Sequence, residues 1–277
     1  MHKDSTKITF SVVIPVFGRR KVSAEAVKSV VNQKLINIDA VEIIICDDEK
    51  NKSKSDQNSI FYKKLSSKVK YIKNKHKEGP GGNRQTGLGV AKGKYITFLD
   101  SDDKLKPEFL FEMGELLSDN SRVLAAICLS KSIFDDNFDL IDKLRLLPLT
   151  AVRDLSILSG YFLNQKSIYK DAFYLCQISH MMFVRDAVVS QKFNYDYRHG
   201  GEDWDFIYKC LEKGTIKILP KRLLFFRYAS NSSTFQVVNR IKKWTSYRLL
   251  ISRLPESIKK GLFYKLFTIY IFLFEKL

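Results

Sequence analysis

The decisive stretch is Lys94-Tyr95-Ile96-Thr97-Phe98-Leu99-Asp100-Ser101-Asp102-Asp103. Its apolar run, rich in aromatic and β-branched side chains, predicts a buried strand over 94–99 that acidic residues end abruptly. Asp100 and Asp102, one residue apart just past that strand, form a compact set of oxygen ligands. A hard divalent cation, Mn2+ or Mg2+, prefers such ligands and completes its shell with water or phosphate. The same spacing also serves as a turn or a helix cap, and Asp103 suits a helix lead-in.

Working outward, Ser11-Val12-Val13-Ile14-Pro15-Val16 is a second apolar run, closed by Phe17-Gly18, and Val41-Glu42-Ile43-Ile44-Ile45-Cys46 a third, ending in Asp47-Asp48. Val69-Lys70-Tyr71-Ile72 is a fourth, shorter one. Between them, Val22, Ala26, Val27, Val30 and Val31 follow a helical spacing over 22–33, and a basic helical stretch follows Asp48. The glycine-rich Gly79-Pro80-Gly81-Gly82 precedes a predicted helix over 83–91. Alternating strands and helices predict a mainly parallel sheet with helices on both faces. Both acidic clusters lie past the carboxyl ends of strands, the edge where open α/β sheets bind ligands. The pattern then weakens: a helix over 107–117, a strand over 124–129, irregular loops over 134–169, a strand over 178–184 and a helix over 204–213.

The 277 residues suffice for one large α/β domain with an appendage. With 45% hydrophobic and 28% charged residues the chain is globular, neither disordered nor membrane-spanning. Its net charge of +17 is uneven, with ten lysines between Lys50 and Lys77 against Asp56 alone. Such charge suits nucleic acid, an anionic membrane or phosphorylated ligands. No zinc-finger or RNP-like pattern supports nucleic acid. Cys46, Cys128, Cys176 and Cys210 are widely spaced without a CxxC pair, which argues against a zinc or disulfide framework and fits a reducing cytoplasm. The polar start Met1-His2-Lys3-Asp4-Ser5 shows no signal peptide, so a cytoplasmic protein is expected.

Five segments occur in order: Ser11-Val-Val-Ile-Pro-Val-Phe-Gly-Arg19, Ile45-Cys-Asp47-Asp48, Gly79-Pro-Gly-Gly-Asn-Arg84-Gln-Thr-Gly87, Phe98-Leu-Asp100-Ser-Asp102-Asp103 and Gly201-Glu202-Asp203-Trp204-Asp205. As a set they resemble the family 2 glycosyltransferases of bacterial cell-surface polysaccharides, across roughly residues 8 to 230. The resemblance implies the GT-A fold over 1–235, with a nucleotide-binding half to about 105 and an acceptor-binding half beyond it. It also implies a metal-dependent, inverting hexosyltransferase. The nucleoside would lie on the backbone of Pro15, Val16 and Phe17, with Arg19 and Gly82 also on the donor. Asp47 would bond the base, usually uracil, beside Asp48, since a carboxylate accepts a pyrimidine N–H well; a strand-end turn is the plain alternative. Arg84 would face the nucleotide or its phosphates, where a guanidinium donates two bonds, or form a surface salt bridge. Asp100 and Ser101 would lie near the ribose, with Asp102, and Asp100 beside it, at the metal. Asp203 would be the general base, with Glu202, Trp204 and His199 toward the acceptor. Glu202 and Asp203 also fit as helix caps, and Trp204 as a core aromatic.

Three positions depart from the family pattern: Gly18 and Gln85 where Asn is usual, and Ala229 where many relatives carry a metal-binding His. Metal ligation then rests on Asp102, phosphate and water. His180 suits packing or substrate contact better than metal. Residues 236–277 predict a basic, amphipathic helical extension whose longest uncharged run, Leu266 to Phe274, falls well short of the roughly 20 residues that span a bilayer. Aromatic residues mixed with Arg240, Lys242, Lys243, Arg248, Arg253, Lys259 and Lys260 suit an anionic membrane surface, or a docked terminal helix. The expected partners are a nucleotide-sugar donor, probed first as a UDP-sugar, and a glycan or lipid-linked glycan acceptor in lipopolysaccharide, O-antigen or capsule assembly, at the inner face of the membrane. A catalytically inactive, nucleotide- or membrane-binding relative is the rival expectation.

Overall fold

The computed structural model describes residues 9–118, 123–135, 143, 150, 154, 157–158, 177–197, 201–211 and 213–228. Eight strands form one sheet: β1 (Phe10–Val16), β2 (Val41–Asp47), β3 (Val69–Lys73), β4 (Tyr95–Phe98), β5 (Lys104–Leu105), β6 (Val123–Phe134), β7 (Met181–Val184) and β8 (Thr215–Tyr228). Their order is β3-β2-β1-β4-β7-β6-β8-β5. The first four are mutually parallel, β7 runs antiparallel to β4 and β6, and β8 is parallel to β6. The expected mainly parallel α/β fold is therefore present. The helices are α1 (Arg20–Val31), α2 (Lys52–Leu65), α3 (Pro80–Val90), α4 (Phe109–Ser118), α5 (Arg185–Val188) and α6 (Glu202–Leu211).

Continuous apolar strands are what a sheet covered on both faces requires. All seven residues of β1 are buried, and successive side chains enter opposite layers. Val12, Ile14, Ile43 and Ile45 pack with Val27 and Val30 of α1 and Phe109 and Met113 of α4. Val13, Ile44, Ile96 and Phe98 pack with Leu88 of α3 and Phe206 and Ile207 of α6. Each such buried side chain contributes about 1.5–3 kcal/mol. Helix α3 lies so close to β1 that a Cβ on Gly87 would sit 2.3 Å from Val13 Cγ1.

Three local expectations change. Helix α3 begins at Pro80, not 83, because proline is well placed in a first turn whose N–H groups lack partners. Ile178–His180 forms a 3₁₀ turn ahead of β7. Helix α6 starts at Glu202 rather than 204, since Gly201 (φ 102°) can turn the chain into it. The fourteen-residue β8 escapes a periodicity reading because Lys217, Pro220, Lys221 and Arg222 interrupt its apolar pattern. Its pairing with β6 is likewise broken by register shifts at Cys128/Leu129 and Leu129/Ser130. No helix among the described residues is long and apolar enough to cross a membrane. Most of the 134–169 loops, Cys176, His199, Ala229 and the 236–277 extension lie outside the described residues.

Candidate active site

The loop after β4 is anchored from two sides. Ser179, in the 3₁₀ turn, accepts the Asp100 N–H at 3.1 Å, and the Asp103 N–H turns back to the Asp100 carbonyl at 3.0 Å. From the end of β8, Arg227 donates its backbone N–H to Asp103 Oδ1 (3.0 Å) and its Nε to the Asp102 carbonyl (2.9 Å). Its Nη2 reaches Glu25 of α1 at 2.7 Å. Asp103 is buried, and that burial, with Asp102 and Asp100 nearby, raises its carboxyl well above the usual range. It holds the loop in place.

Asp102 remains partly open, its side chain 29% exposed, with Arg19 Nη1 at 3.8 Å from Oδ2. Burial first, then Asp100, raises its carboxyl, and Arg19 and Arg227 oppose that rise. Arg19 stands at the head of α1 with φ 49°, after Gly18 with φ 64°. These consecutive left-handed residues turn the chain sharply beneath Phe17, which is 72% exposed, while Pro15 and Val16 stay inside β1.

The acids after β2 divide in role. Asp47 is 1% exposed; its Oδ2 accepts Asn58 Nδ2 and the Tyr71 hydroxyl, each at 2.7 Å, and its Oδ1 accepts the Glu49 N–H at 2.9 Å. Asp48 is the more accessible and tethers residues 74–79, accepting Asn74 Nδ2 at 2.6 Å and the Gly79 N–H at 2.9 Å. That loop leaves no space beside Gly82, where a Cβ would meet the Lys77 carbonyl oxygen at 1.9 Å. Packing alone accounts for this glycine.

Arg84, on α3, is buried and directs both terminal nitrogens to carboxylates: Nη1 to Glu202 Oε1 at 2.6 Å and Nη2 to Asp100 Oδ1 at 2.5 Å. Burial works against its charge, but Asp100, Glu202 and Asp203 together hold the guanidinium firmly protonated. Acids from the β4 loop and the head of α6 thus meet across one side chain. Asp203, in the first turn of α6, is half-buried and accepts the Trp204 N–H at 2.9 Å. Burial and the neighbouring Glu202 push its carboxyl up to about 7, against the pull of Arg84. That places a carboxylate near the strength a general base needs at neutral pH. Trp204 is half-buried and Ser101 partly exposed within the β4 loop. His180 is buried, its Nδ1 at 3.2 Å from the Gln177 carbonyl and its ring stacked near Phe226, so it packs.

The family model for glycosyl transferase family 2 matches residues 11–188, well over half of the chain and including the β1, β2, α3 and β4 segments. The chain belongs to glycosyl transferase family 2. Among the relatives of this family 2 member, the GalNAc(5)-diNAcBac-PP-undecaprenol beta-1,3-glucosyltransferase of Campylobacter jejuni is 39% identical over 98 residues. That match spans 34% of this chain and 30% of the relative's length. The mannosyltransferase PcManGT from Pyrobaculum calidifontis, solved with GDP-Man and Mn2+, superposes with a TM-score of 0.62 at 14% identity, over 90% of this chain and 66% of that one. S. aureus TarS 1-349 with UDP-GlcNAc gives 0.60 at 16%, covering 92% and 67%. At such identities these likenesses establish the GT-A fold.

The family pattern raises the question of a cation. Among the described residues no three His, Cys, Asp or Glu side chains form a ready metal cage. The donor set still fits a hard cation that draws its other ligands from phosphate and water: Asp102 is partly open, and burial and Asp100 hold its charge at a disadvantage that a cation would relieve. Asp100 is a poorer ligand, because Arg84 already occupies its Oδ1. The residue readings missed Arg227, Ser179 and Asn74, which hold the loops. Only Arg227 carried a signal, as a cation just after the apolar run Leu223 to Phe226.

Proposed function

We propose that this family 2 protein is an inverting glycosyltransferase that moves a sugar from a nucleotide diphosphate donor, first a UDP-sugar, to a hydroxyl of a lipid-linked glycan. Its setting would be the inner face of a bacterial cytoplasmic membrane, in lipopolysaccharide, O-antigen or capsule assembly. The observation that carries the proposal is the meeting of Asp100, Arg84, Glu202 and Asp203, which sets a raised carboxylate beside the loop after β4. Asp203 accepts the proton of the acceptor hydroxyl as that oxygen attacks the anomeric carbon. The bond from that carbon to the diphosphate oxygen breaks on the opposite face, so configuration inverts, and an α-linked donor yields a β-linked product. The backbone of Pro15, Val16 and Phe17 and the side chain of Asp48, more accessible than Asp47, would hold the nucleoside. Arg19 and Ser101 would lie along the donor beside Asp100. Mn2+ or Mg2+ on Asp102 would supply charge neutralisation for the departing diphosphate. Glu202 and Trp204 would contact the acceptor. The lipid-linked acceptor is suggested by the name of the Campylobacter relative, and UDP by the TarS complex.

A thermal-shift screen of UDP- and GDP-sugars with Mn2+ or Mg2+ tests the donor class, and chelation with EDTA should abolish the shift. Asp203→Asn should keep donor affinity and lose transfer by about 10²–10⁴-fold, the usual contribution of a general base. Unchanged turnover would remove Asp203 from that role.

A further inference from the structure

Arg84 is the one Lys or Arg among the described residues that is buried, at 3% exposure. Both its terminal nitrogens are committed at 2.6 and 2.5 Å to carboxylates from different segments, Glu202 heading α6 and Asp100 in the loop after β4. The three supports are independently fixed. Helix α3 is seated on β1 through Gly87, and the Asp100 backbone is held by Ser179. Glu202 lies against α3 at Gly81, where a Cβ would stand 3.4 Å from its Cγ. A guanidinium is a planar fork with its nitrogens at set separation, so it holds two carboxylates at a defined spacing; an ammonium on a flexible stem does not.

We propose that Arg84 is a positioning residue for the acceptor side: acting through Glu202, it sets where the first turn of α6, and with it Asp203, stands relative to the donor loop. It is therefore a structural link between the two substrates rather than a grip on donor phosphates. This rests on the base role of Asp203 proposed above.

Arg84→Lys in the full chain tests it, because a single ammonium reaches one carboxylate and leaves the other. With the nucleotide sugar selected by the screen, kcat should fall about 10–100-fold, as expected when an interaction that orients reacting groups is lost. The dissociation constant for UDP with Mn2+, by calorimetry, should stay within about threefold of the parent. Because Arg84 works through Glu202, adding Arg84→Lys to Glu202→Gln should cost less than about threefold more in kcat, the non-additivity of coupled residues. Arg84→Lys keeps a cation beside Asp100 and Asp203, so each variant of this cycle avoids leaving those acids without an opposite charge. Three results would overturn the proposal: UDP binding weakened tenfold or more with kcat kept, additive losses in the double variant, or an Arg84→Lys enzyme that turns over like the parent. Full transfer by Asp203→Asn would instead defeat the base role itself. Lost transfer in Asp203→Asn together with a donor-binding defect in Arg84→Lys would defeat only the present proposal.

Discussion

Asp203 carries an electrostatic cost and, in the proposed reaction, a use. Its ordinary value of 3.8 is lifted to about 7 by burial and by Glu202. Because the folded-state value lies above the unfolded one, its contribution to stability is complete below about pH 4 and is lost as pH rises through about 7. In the proposed role transfer runs the other way, since a general base acts in its ionised form: kcat/KM should rise through an apparent pKa near 7 and level above it, and a flat profile from pH 6 to 8 would contradict this. Asp203→Asn removes the charge penalty, so at pH 8 it should melt about 2–5 °C above the parent while its transfer falls by about 10²–10⁴-fold. Arg227 makes a different prediction. Arg227→Met leaves its backbone N–H on Asp103 but removes the bonds to the Asp102 carbonyl and Glu25. Metal-dependent donor affinity should drop about tenfold, the cost of roughly one charge-assisted hydrogen bond, as measured by calorimetry with and without Mn2+.

Among the elements, α3 is the one whose sequence is most constrained by what it touches. Its glycines are not flexible linkers; they let a helix lie directly on β1 and under the 74–79 loop. Gly87→Ala would drive a methyl to 2.3 Å from Val13 Cγ1, so it should destabilise the protein by about 1–3 kcal/mol, read as a lowered urea midpoint with unchanged slope. Gly82→Ala meets the Lys77 carbonyl oxygen instead. Its damage should be local: the 74–79 loop, tethered to Asp48 by Asn74, shifts, and donor affinity weakens more than stability. The glycine-rich segment was legible as important, but its place inside α3 was not. Periodicity counts apolar residues, and a face that works by having no side chains leaves no mark.

Across the whole molecule, charge and fold answer to different parts of the chain. The net charge of +17 favours an anionic surface. Co-sedimentation with vesicles containing anionic phospholipid should be strong at low salt, lost by about 0.5 M salt, and weakened by deleting 236–277; equal binding to neutral vesicles would contradict the electrostatic origin. The sequence by itself determined the alternation of buried strands and helices, because apolar runs and their breaks are local. It also placed Asp47, Asp48, Asp100 and Asp102 at the carboxyl edge of the sheet, because each follows its strand directly. Only the tertiary structure decided which partner each acid takes. Asp47 is enclosed by Asn58 and Tyr71, Asp103 is held by Arg227 from the far end of β8, and Arg84 turns to Asp100 and Glu202. Those pairings depend on strand order and helix seating, which for Arg84 with Glu202 and for Asp103 with Arg227 bring together residues more than a hundred positions apart. A charge's partner is chosen by distance in space, and distance along the chain carries almost none of that information.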